Sequence, residues 1–441
     1  MKIIALGGVS TTAKNMVAFE FESGRIVVCD MGLDSVLMTQ IKSELPSFTY
    51  EELLKRDLVA DMSYLLERRD KVAAIVLSNA LPDHCGAVPY LAKEFSCPIY
   101  ATKFTCEVLK LQGLDKAVEE RLRKVDINSS FATDFDDLKV EFINVTHAVP
   151  ESSILALHTK EGIILYAQGF KFDNRPALGL KPHYDRLKVL EKRGIKLAVV
   201  DSLKSNEFRK TMSEVVVKEM LRDVFIETDI VQTQGVIITT FPSHITRLKS
   251  IMELTLESNR KLVFLGEELA LYAEAAKKAG LIDFVQKGAR IVSKKEDILK
   301  ELALIEKQKE NFVIVCTGHQ GEKDGVLSWI AAGETAYKVT QNDKVVFSSD
   351  AIPVDGAFAS RQTIEKKFES TMCKVFNDMH VSGHGSREDL RDFLTMTHPK
   401  IVVPSRGDVR QKEGMIELCE ELGLEEGHGL LLLNDGQTKD I

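Results

Sequence analysis

The feature that most constrains the fold of this chain is a change of rhythm between its first 170 residues and its middle. Short strand-like runs dominate the first part, namely Ile3–Leu6, Met16–Phe21, Arg25–Asp30, Val72–Ser78, Lys139–Val145 and Gly162–Ala167. From about Lys196 strands and helices alternate, in the order Lys196–Val200, Thr211–Val224, Val236–Thr240, Ile245–Glu257, Lys261–Leu265, Glu267–Ala279, Phe312–Cys316 and a helix near Leu327. Such alternation is typical of a parallel, doubly wound α/β unit.

The last part of the chain returns to the style of the first. Lys374–Asn377 and Lys400–Pro404 read as strands, and a helix is predicted from Glu388. We therefore predict one α/β unit inserted into another, with domains over residues 1–203, 204–350 and 351–441. The spacing of Thr211-Met212-Ser213-Glu214 is that of a capping box, which predicts that a helix of the inserted unit begins at this point.

Length and composition exclude several classes of protein. A chain of 441 residues with 44% hydrophobic and 28% charged residues can bury a core, unlike a disordered tail or a disulfide miniprotein. Apolar runs such as residues 72–77 fall well short of the roughly 18 residues of a membrane helix, and no secretory leader is visible, so we expect a cytoplasmic protein without membrane contact.

The cysteines and the net charge add two further limits. Seven cysteines without a CxxC pair predict reduced packing residues and exclude a structural zinc ribbon. The formal net charge of −8 means that any contact with nucleic acid must come from a local basic patch.

Candidate chemistry begins after the buried strand that ends at Ser78. Asp83 and His84 follow this strand and precede a helix, so they could be a metal-ligand pair or a helix cap with a neighbouring imidazole. Further polar signals follow in a fixed order at Asp30–Leu33, Thr146–Ser152, Gly169–Asp173, Asp201–Ser202, Thr317–Glu322 and His380–Gly385. Together these signals are more specific than any one of them.

This series resembles the metallo-β-lactamase superfamily, and within it the β-CASP nucleases of the ribonuclease J type, over essentially the whole chain. It is similar to the compact archaeal-type members that lack an extra C-terminal domain. Leu6–Val9, Lys14–Met16 and the turn from Thr240 through His244 to Arg247 contribute to the resemblance. The resemblance implies an αββα sandwich interrupted by a β-CASP insertion. It also implies two zinc ions that activate a water against an RNA phosphodiester, usually in 5′ to 3′ exonuclease action on 5′-monophosphate ends.

The residues depart from the family pattern at the expected metal ligands. The family's His-x-His-x-Asp-His falls on Asn79, Leu81, Asp83 and His84, the bridging aspartate falls on Gly169, and the last ligand falls on Arg406. His147 keeps the histidine of the Thr-His motif. By this resemblance the first metal retains only His147 of three ligands, and the second retains only Asp83 and His84.

These losses argue against a dinuclear zinc centre. A tight catalytic zinc site typically has three protein ligands and a water, whereas an arginine brings a permanent positive charge. We therefore expect no cofactor, or at most weakly bound zinc or manganese. Two interpretations of Arg406 remain open: its guanidinium binds a phosphate, or it forms an ion pair with Asp83 that fills the vacated site.

The phosphate-handling positions of the family are better preserved. The resemblance assigns substrate binding to Asp201, to Ser243 and His244 in the inserted unit, and to His380, Ser382, Gly383 and His384, with Arg406 as a further candidate. It places His384 near the scissile group, so that Asp83, His84 and His384 are remnants of the catalytic centre. Alternatively, His384 caps the predicted helix Ser386–Leu394.

The predicted function is a ribonuclease J-like protein with a degraded catalytic centre. It would bind single-stranded RNA or 5′-phosphate ends, or partner an active nuclease in RNA processing or decay, as a homodimer or with an active paralogue. One alternative is an active metal-dependent ribonuclease that uses Asp83, His84 and His147 in a reduced site. Another is a pure protein-interaction scaffold.

Overall fold

The structure is a computed structural model that describes residues 1–34, 37, 48–230, 235–351, 355–377 and 379–441. The chain forms two compact units. The first, here called the sandwich unit, comprises Met1–Asn174, Leu180–Thr211 and Gly383–Ile441; the second, the inserted unit, comprises Arg175–Gly179 and Met212–Ser382. The sequence predicts domain boundaries after residues 203 and 350, and these boundaries remain predictions. The two units named here are defined by the contacts within the structure.

The elements are numbered along the chain. Up to residue 211 they are β1 (Lys2–Gly7), β2 (Met16–Glu20), β3 (Ile26–Cys29), α1 (Tyr50–Lys55), α2 (Ser63–Leu66), β4 (Val72–Val76), α3 (Pro82–Cys85), α4 (Val88–Leu91), β5 (Ile99–Thr102), α5 (Lys103–Leu111), α6 (Lys116–Glu119), β6 (Leu122–Val125), β7 (Ser130–Ala132), β8 (Lys139–Asn144), β9 (Ser153–Thr159), β10 (Gly162–Ala167), α7 (Tyr184–Glu191) and β11 (Ile195–Asp201).

The inserted unit contributes α8 (Glu214–Ile230), β12 (Val236–Thr239), α9 (Ile245–Glu257), β13 (Lys261–Leu265), α10 (Glu267–Lys278), β14 (Arg290–Val292), α11 (Lys295–Ile305), β15 (Phe312–Cys316), α12 (Val326–Ala331), β16 (Lys344–Phe347), α13 (Asp355–Glu369) and β17 (Lys374–Phe376). The chain ends with α14 (Arg387–Thr397), β18 (Ile401–Ser405), α15 (Val409–Glu421), β19 (Glu425–Glu426), β20 (Gly429–Leu430) and β21 (Thr438–Asp440).

The sandwich unit is built on two mixed sheets. Their strand orders are β21-β1-β2-β3-β4-β5-β6 and β19-β20-β18-β11-β10-β9-β8-β7. Alternate residues of the first sheet, such as Phe19 and Val27, pack with Phe142 and Leu155 of the second into one apolar core. The opposite face of each sheet packs against helices. These are the four layers of the αββα sandwich that the sequence predicts.

The inserted unit has one sheet of described strands, in the order β14-β13-β15-β12-β16-β17, and every pairing is parallel. Its four central strands, β13, β15, β12 and β16, are buried along most of their length, as expected when helices cover both faces. The predicted parallel α/β insertion is therefore confirmed. No helix in the described ranges is long and apolar enough to cross a membrane.

The capping box predicted at Thr211 is wrong. Helix α8 begins at Glu214, and the Thr211 hydroxyl instead donates to the carbonyl oxygen of His384 at 2.7 Å and lies 2.9 Å from the Ser386 hydroxyl. Glu214 pairs with Arg247, and the N–H of Thr211 donates to Oδ2 of Asp389 at 2.7 Å. The spacing matched the motif, but both side chains have partners that are distant in sequence.

Candidate functional site

The ends of parallel strands bring the predicted site residues of the sandwich unit together. Strand β11 pairs in parallel with β10 on one side and with β18 on the other, and Asp201 stands opposite Ser405 in this register. Gly169 follows β10, and its N–H donates to Oδ2 of Asp201 at 3.2 Å. The carboxyl ends of these strands therefore place Gly169, Asp201 and Arg406 beside one another.

Arg406 lies inside the protein, with 4% of its surface exposed. Its Nη2 donates to Oδ2 of Asp83 at 2.5 Å and to the carbonyl oxygen of Thr12 at 3.1 Å, and its Nη1 donates to Nε2 of His84 at 3.0 Å. The residue has a left-handed φ of 57°. Of the two interpretations left open by the sequence, the structure shows the ion pair with Asp83.

The two ring nitrogens of His84 have separate hydrogen-bond partners. A guanidinium can only donate, so Nε2 of His84 accepts from Arg406 and the proton of the ring sits on Nδ1. Nδ1 donates to Oδ2 of Asp30 at 2.6 Å. Asp30 also accepts the N–H of Ser78 at 2.7 Å and the Ser78 hydroxyl at 2.8 Å. Burial, and Asp30 beside it, raise the pKa of the Tyr166 phenol well above its ordinary value.

Asp83 is an acceptor for Arg406 and for Nδ2 of Asn15, which lies 3.2 Å from its Oδ2. Burial raises the pKa of this carboxyl, but Arg406, His84 and His384 together outweigh burial and hold the pKa below its usual value. Asp83 lies within α3, whose N-cap is Leu81 without a side-chain cap bond. Asp83 therefore belongs to the Arg406 contact and does not cap the helix.

The two positions that replace the family's leading histidines shape the loop after β4. The side chain of Asn79 is fully buried; its Oδ1 accepts the N–H of Leu81 at 2.9 Å and its Nδ2 donates to the Ser78 hydroxyl at 3.2 Å. Neither contact involves a group that faces Arg406, so Asn79 and Leu81 hold the turn and contribute no donor atom to the site.

Gly169 leaves room for the groups around it. A Cβ atom added there would lie 3.2 Å from Nε2 of His147 and 3.7 Å from Nη1 of Arg406, and the residue has a φ of 60°. Gly383 is packed as closely, because its Cβ would lie 2.9 Å from Nε2 of His147. His147 accepts the N–H of Val149 on Nδ1 at 3.3 Å, which leaves its proton on Nε2. His147 and Arg406 thus face the same small space.

Asp201 and His384 form a second aspartate–histidine pair, with 2.6 Å between Oδ2 and Nδ1. Burial raises the pKa of Asp201, but His384 and Arg406 outweigh it, and the pKa lies well below its usual value. Burial, and the charge of Arg406, lower the pKa of His384 although Asp201 opposes them. Helix α14 is capped by Ser386 in a capping box, so the capping alternative for His384 is not realised.

The ligand set of the sandwich unit does not fit a zinc ion as it stands. Among the described residues no group of three His, Cys, Asp or Glu side chains is placed to hold a metal. The guanidinium of Arg406 touches both Asp83 and His84, the two positions at which the family's second metal keeps ligands. The Arg406 guanidinium therefore occupies the position in which a metal ion would bind the Asp83 carboxylate and the His84 imidazole.

The candidates of the inserted unit surround the start of α9. His244 is the N-cap residue, and its Nδ1 accepts the N–H of Arg247 at 3.1 Å. Arg247 is fully buried; it contacts both carboxylate oxygens of Glu214 and donates to the carbonyl oxygen and the hydroxyl of Ser348. Ser243 is buried directly before this cap. Arg247 thus serves to fix the turn from inside.

Three imidazoles of the inserted unit lie near Phe241. The ring of His319 meets that of Phe241 edge to face at 4.5 Å, and the ring of His380 lies 5.9 Å from it and 6.2 Å from that of His244. Burial lowers the pKa of His319, and burial together with Arg247 lowers that of His380. Both shifts favour the neutral form of His319 and His380. Ser382 is half-buried in the loop that follows His380.

Comparison with known proteins identifies the family. Three family descriptions match: "Beta-lactamase superfamily domain" over residues 46–180, "Ribonuclease J, beta-CASP domain" over 233–365, and "Zn-dependent metallo-hydrolase RNA specificity domain" over 371–427. A ribonuclease J of Pyrococcus abyssi is 36% identical over 451 residues, which cover 100% of this chain and 97% of that protein. The chain belongs to the ribonuclease J family. The resemblance read from the sequence is confirmed.

Other relatives agree with this assignment. A ribonuclease J of Methanocaldococcus jannaschii is 35% identical over 99% of this chain and 98% of that protein. A ribonuclease J2 of Bacillus subtilis is 28% identical over 100% of this chain and 75% of that protein. A crystal structure of a protein of unknown function from Enterococcus faecalis V583 superposes with a TM-score of 0.64 at 14% identity, over 99% of both chains, which supports the fold.

Sequence reasoning missed several residues that hold these sites. The sequence places Asp30 in a motif but gives it no partner, and it assigns no role to Tyr166. It does not predict the Arg247–Glu214 pair, because the two residues lie 33 positions apart. The sequence signal for Asp30 is a charged residue directly after the buried strand β3. Burying a charged side chain costs free energy unless it is paired, so such a residue is expected to have a partner. Its partner could not be read from one sequence.

Proposed function

We propose that this chain is an RNA-binding member of the ribonuclease J family that does not carry out metal-dependent hydrolysis. The observation that carries the proposal is the position of the Arg406 guanidinium, which contacts Asp83 and His84 at once. Two-metal hydrolysis needs an ion to lower the pKa of the attacking water and ions to neutralise the phosphoryl oxygens. A guanidinium offers charge and donors but has no open coordination position for water.

Binding of RNA is supported by the family and by the remaining polar groups. The match to an RNA specificity domain covers residues 371–427, and the relatives are named ribonucleases. Within the sandwich unit, His384 is oriented by Asp201, and Gly383 leaves room for the imidazole of His147 beside it. We infer that these groups contact an RNA phosphate, and that Ser243, His244, His380 and Ser382 do so in the inserted unit.

The role of Arg406 towards RNA is secondary in this proposal. Its charge is balanced by Asp83, and two of its three nitrogen atoms already donate. Its Nε is buried and makes no hydrogen bond among the described residues, so this N–H of the guanidinium has no acceptor. A phosphate could reach that donor only if the surrounding loops moved. We therefore assign Arg406 to holding the site rather than to recognising the substrate.

Three cations after β11 give little support to an RNA channel at that point. Lys204 and Arg209 both pair with Glu207, at 2.7 and 2.9 Å, and Lys210 pairs with Asp392 at 2.5 Å. Paired charges present less net positive potential to a phosphate backbone than free ones do. The RNA contacts are for this reason assigned to the histidines instead.

The test uses the purified, untagged full-length chain. Zinc and manganese are measured by elemental analysis after dialysis, and binding of 5′-monophosphorylated and 5′-hydroxyl single-stranded RNA is measured by fluorescence anisotropy. Hydrolysis is followed on the same RNA with added manganese and with EDTA. The proposal expects RNA binding, essentially no retained metal and no cleavage. Close to two metal ions per chain with manganese-dependent cleavage would instead establish the alternative of an active ribonuclease.

Absence of RNA binding in the same assay would leave the scaffold alternative. Self-association is tested by size-exclusion chromatography of this preparation alone. A complex with an active ribonuclease J is tested by the same method on a mixture of the two proteins. We propose such an association as a route by which a chain without hydrolytic activity takes part in RNA processing.

A further inference from the structure

The loop between β1 and β2, residues 8–15, lies at the end of its sheet where Asp30 and Asp83 also lie. Strand β1 runs antiparallel to β2, β2 runs antiparallel to β3, and β3 runs parallel to β4. The segments that follow β1, β3 and β4 therefore leave the sheet at the same edge. The N–H of Asn15 donates to the carbonyl oxygen of Asp83 at 3.0 Å, which joins the β1–β2 loop to the site.

Arg406 contacts the backbone of this loop at two points. Its own N–H donates to the carbonyl oxygen of Gly8 at 2.9 Å, and its Nη2 donates to the carbonyl oxygen of Thr12 at 3.1 Å. The side chain of Thr12 is exposed. Thr12 therefore combines a main-chain contact to the buried guanidinium with a side chain that solvent, or a ligand, can reach.

Asp435 holds the same loop from a distant part of the chain. Its Oδ1 accepts the N–H groups of Val9 and Ser10, at 2.7 and 3.1 Å, and its Oδ2 accepts the Thr11 hydroxyl at 3.4 Å. Its own N–H donates to the Ser10 hydroxyl at 3.1 Å. One residue thus makes hydrogen bonds to three consecutive residues of the loop, directly before Thr12.

The segment that carries Asp435 is itself fixed to the sheet. The N–H of Gly436 donates to the carbonyl oxygen of Ala5 at 2.6 Å, and the N–H of Ala5 donates to the carbonyl oxygen of Gln437 at 2.9 Å. Strand β21, which follows, pairs antiparallel with β1. Asp435 is therefore anchored by strand pairing, so its carboxylate can set the conformation of the β1–β2 loop.

We propose that Asp435 is a positioning residue for RNA and that it acts through Thr12, whose hydroxyl contacts an RNA phosphate. The hydroxyls of Ser10 and Thr11 are used in contacts with Asp435, whereas Thr12 is exposed. Threonine hydroxyls are among the groups that donate to nucleic-acid phosphates, and such contacts position the chain without reading sequence. The inference rests on the proposed function and deepens it, because it adds a contact outside the histidines.

The charge of Asp435 makes its role testable. A carboxylate repels a phosphate backbone, so if only its charge mattered, removing it would strengthen RNA binding. If the carboxylate positions Thr12, removing it weakens RNA binding. The two explanations thus predict opposite signs for the same substitution.

The first experiment titrates 5′-monophosphorylated single-stranded RNA into the full-length chain at fixed salt, with fluorescence anisotropy as the readout. Thr12→Val keeps the branched shape and is expected to weaken binding about fivefold, as the loss of one neutral hydrogen bond does. Thr12→Ser restores a hydroxyl and is expected to recover most of this loss. The matched control is Thr395→Val, at an exposed position of α14 in the same unit, which should not change the affinity.

The second experiment asks whether Asp435 acts through Thr12. Asp435→Ala is expected to weaken RNA binding up to about fivefold, since its effect cannot exceed the contact that it positions. Asp435→Asn keeps an oxygen for the N–H groups of Val9 and Ser10 and is expected to recover most of that affinity. In the double variant, Asp435→Ala should add little to Thr12→Val, whereas independent roles would give additive losses.

Hydrogen exchange over residues 8–13 gives a readout that does not involve RNA. Exchange is expected to be faster in Asp435→Ala than in the wild type, because two N–H groups lose their acceptor. In Asp435→Asn it is expected to stay close to that of the wild type. Thr12→Val changes an exposed side chain, so the RNA measurement remains available if Asp435→Ala does not fold.

Three results would each overturn the inference: Thr12→Val binds RNA as tightly as Thr395→Val, the losses in the double variant add, or exchange over residues 8–13 is unchanged in Asp435→Ala. Single-stranded DNA of the same sequence is titrated in parallel. If Thr12→Val weakens RNA but not DNA, the contact is to the ribose 2′-hydroxyl and the phosphate assignment is wrong. A wild type that binds no RNA would overturn the proposed function as well, whereas the three results above leave wild-type RNA binding intact.

Discussion

His384 and Asp201 are joined by a 2.6 Å contact between Nδ1 and Oδ2, although 183 positions separate them in the chain. His84 and Asp30 make the same contact, also at 2.6 Å. Such carboxylate–imidazole pairs normally stand behind the ligands of a metal ion, where they fix the tautomer of the histidine. In this chain the pair behind His84 is intact, yet its Nε2 accepts a hydrogen bond from an arginine.

The first prediction concerns RNA affinity. Replacing His384 with alanine is expected to weaken binding of 5′-monophosphorylated RNA about tenfold, or about 1.4 kcal/mol, because one phosphate contact is lost. Asp201→Asn is expected to weaken binding by a similar amount, since an amide no longer holds the proton of the imidazole on Nδ1. Both are measured by anisotropy titration at fixed salt, because phosphate contacts depend on ionic strength.

The matched control for this prediction is His398→Ala. His398 lies in the same unit, at the end of α14, and its side chain is 67% exposed. RNA affinity should not change in this variant. If His384→Ala binds RNA as tightly as His398→Ala does, the assignment of His384 to a phosphate contact is wrong.

The fold could be predicted from the sequence to a large extent. Gly162–Ala167, Ile245–Glu257, Lys261–Leu265 and Phe312–Cys316 were predicted with the bounds that the structure has, because buried strands and an amphipathic helix leave strong periodic signals. Weaker signals were missed, such as the short strand Arg290–Val292, in which no residue is buried. The capping box at Thr211 misled because tertiary partners took both of its side chains.

The site could be predicted by type of residue but not by contact. The sequence showed that Asn79, Leu81, Gly169 and Arg406 stand at ligand positions of the family, and it left two interpretations of Arg406 open. Choosing between them required the distance from Arg406 to a residue 323 positions away. Whether two side chains so far apart in sequence meet depends on the register of the strands and the conformation of the loops. A sequence motif specifies neither. The pairing of Asp30 with His84 was hidden for the same reason.

A second prediction tests the space at Gly169. Gly169→Ala is expected to destabilise the protein by about 2 kcal/mol, of which about 1 kcal/mol is the cost of a left-handed residue with a Cβ atom. The remainder comes from crowding against His147, whose Nε2 would be 3.2 Å from the new atom. Free energies of unfolding from urea titration give the value.

Gly194→Ala separates the two causes. Gly194 also has a positive φ, of 85°, but a Cβ atom there would meet nothing within 4 Å. It is expected to show the backbone cost alone. Equal losses at the two positions would mean that Gly169 is required for its φ and not for the space that it leaves to His147 and Arg406.

A third prediction distinguishes structure from RNA contact in the turn before α9. Arg247 is buried and paired with Glu214, so Arg247→Ala is expected to cost about 3–5 kcal/mol of stability, as the loss of one partner of a buried ion pair does. Arg222→Ala, in the half-buried pair of Arg222 with Glu219 and Glu257, is expected to cost less than about 1 kcal/mol. Unchanged stability with weaker RNA binding in Arg247→Ala would instead make Arg247 a substrate contact.

The last prediction concerns pH and a carboxylate remote in sequence from the site motifs. Glu141 accepts two hydrogen bonds from Arg186, at 2.5 and 2.7 Å, and lies 2.9 Å from Nε2 of His158. Burial alone would raise its pKa, but His158 and Arg186 outweigh burial and lower the pKa to about 2. A carboxyl with a depressed pKa stabilises the folded state above its unfolded pKa, and this stability is lost as the pH falls through the folded value.

The difference in unfolding free energy between the wild type and Glu141→Gln should therefore be about 2 kcal/mol near pH 7, as for hydrogen bonds to a charged group. It should shrink as the pH is lowered from about 4.5 towards 2, over the window between the two pKa values. Glu426→Gln, at an exposed position in β19, is expected to show no comparable difference at either end of this range. A Glu141→Gln difference that stays constant down to pH 2 would mean that the ion pair with Arg186 does not depress this pKa.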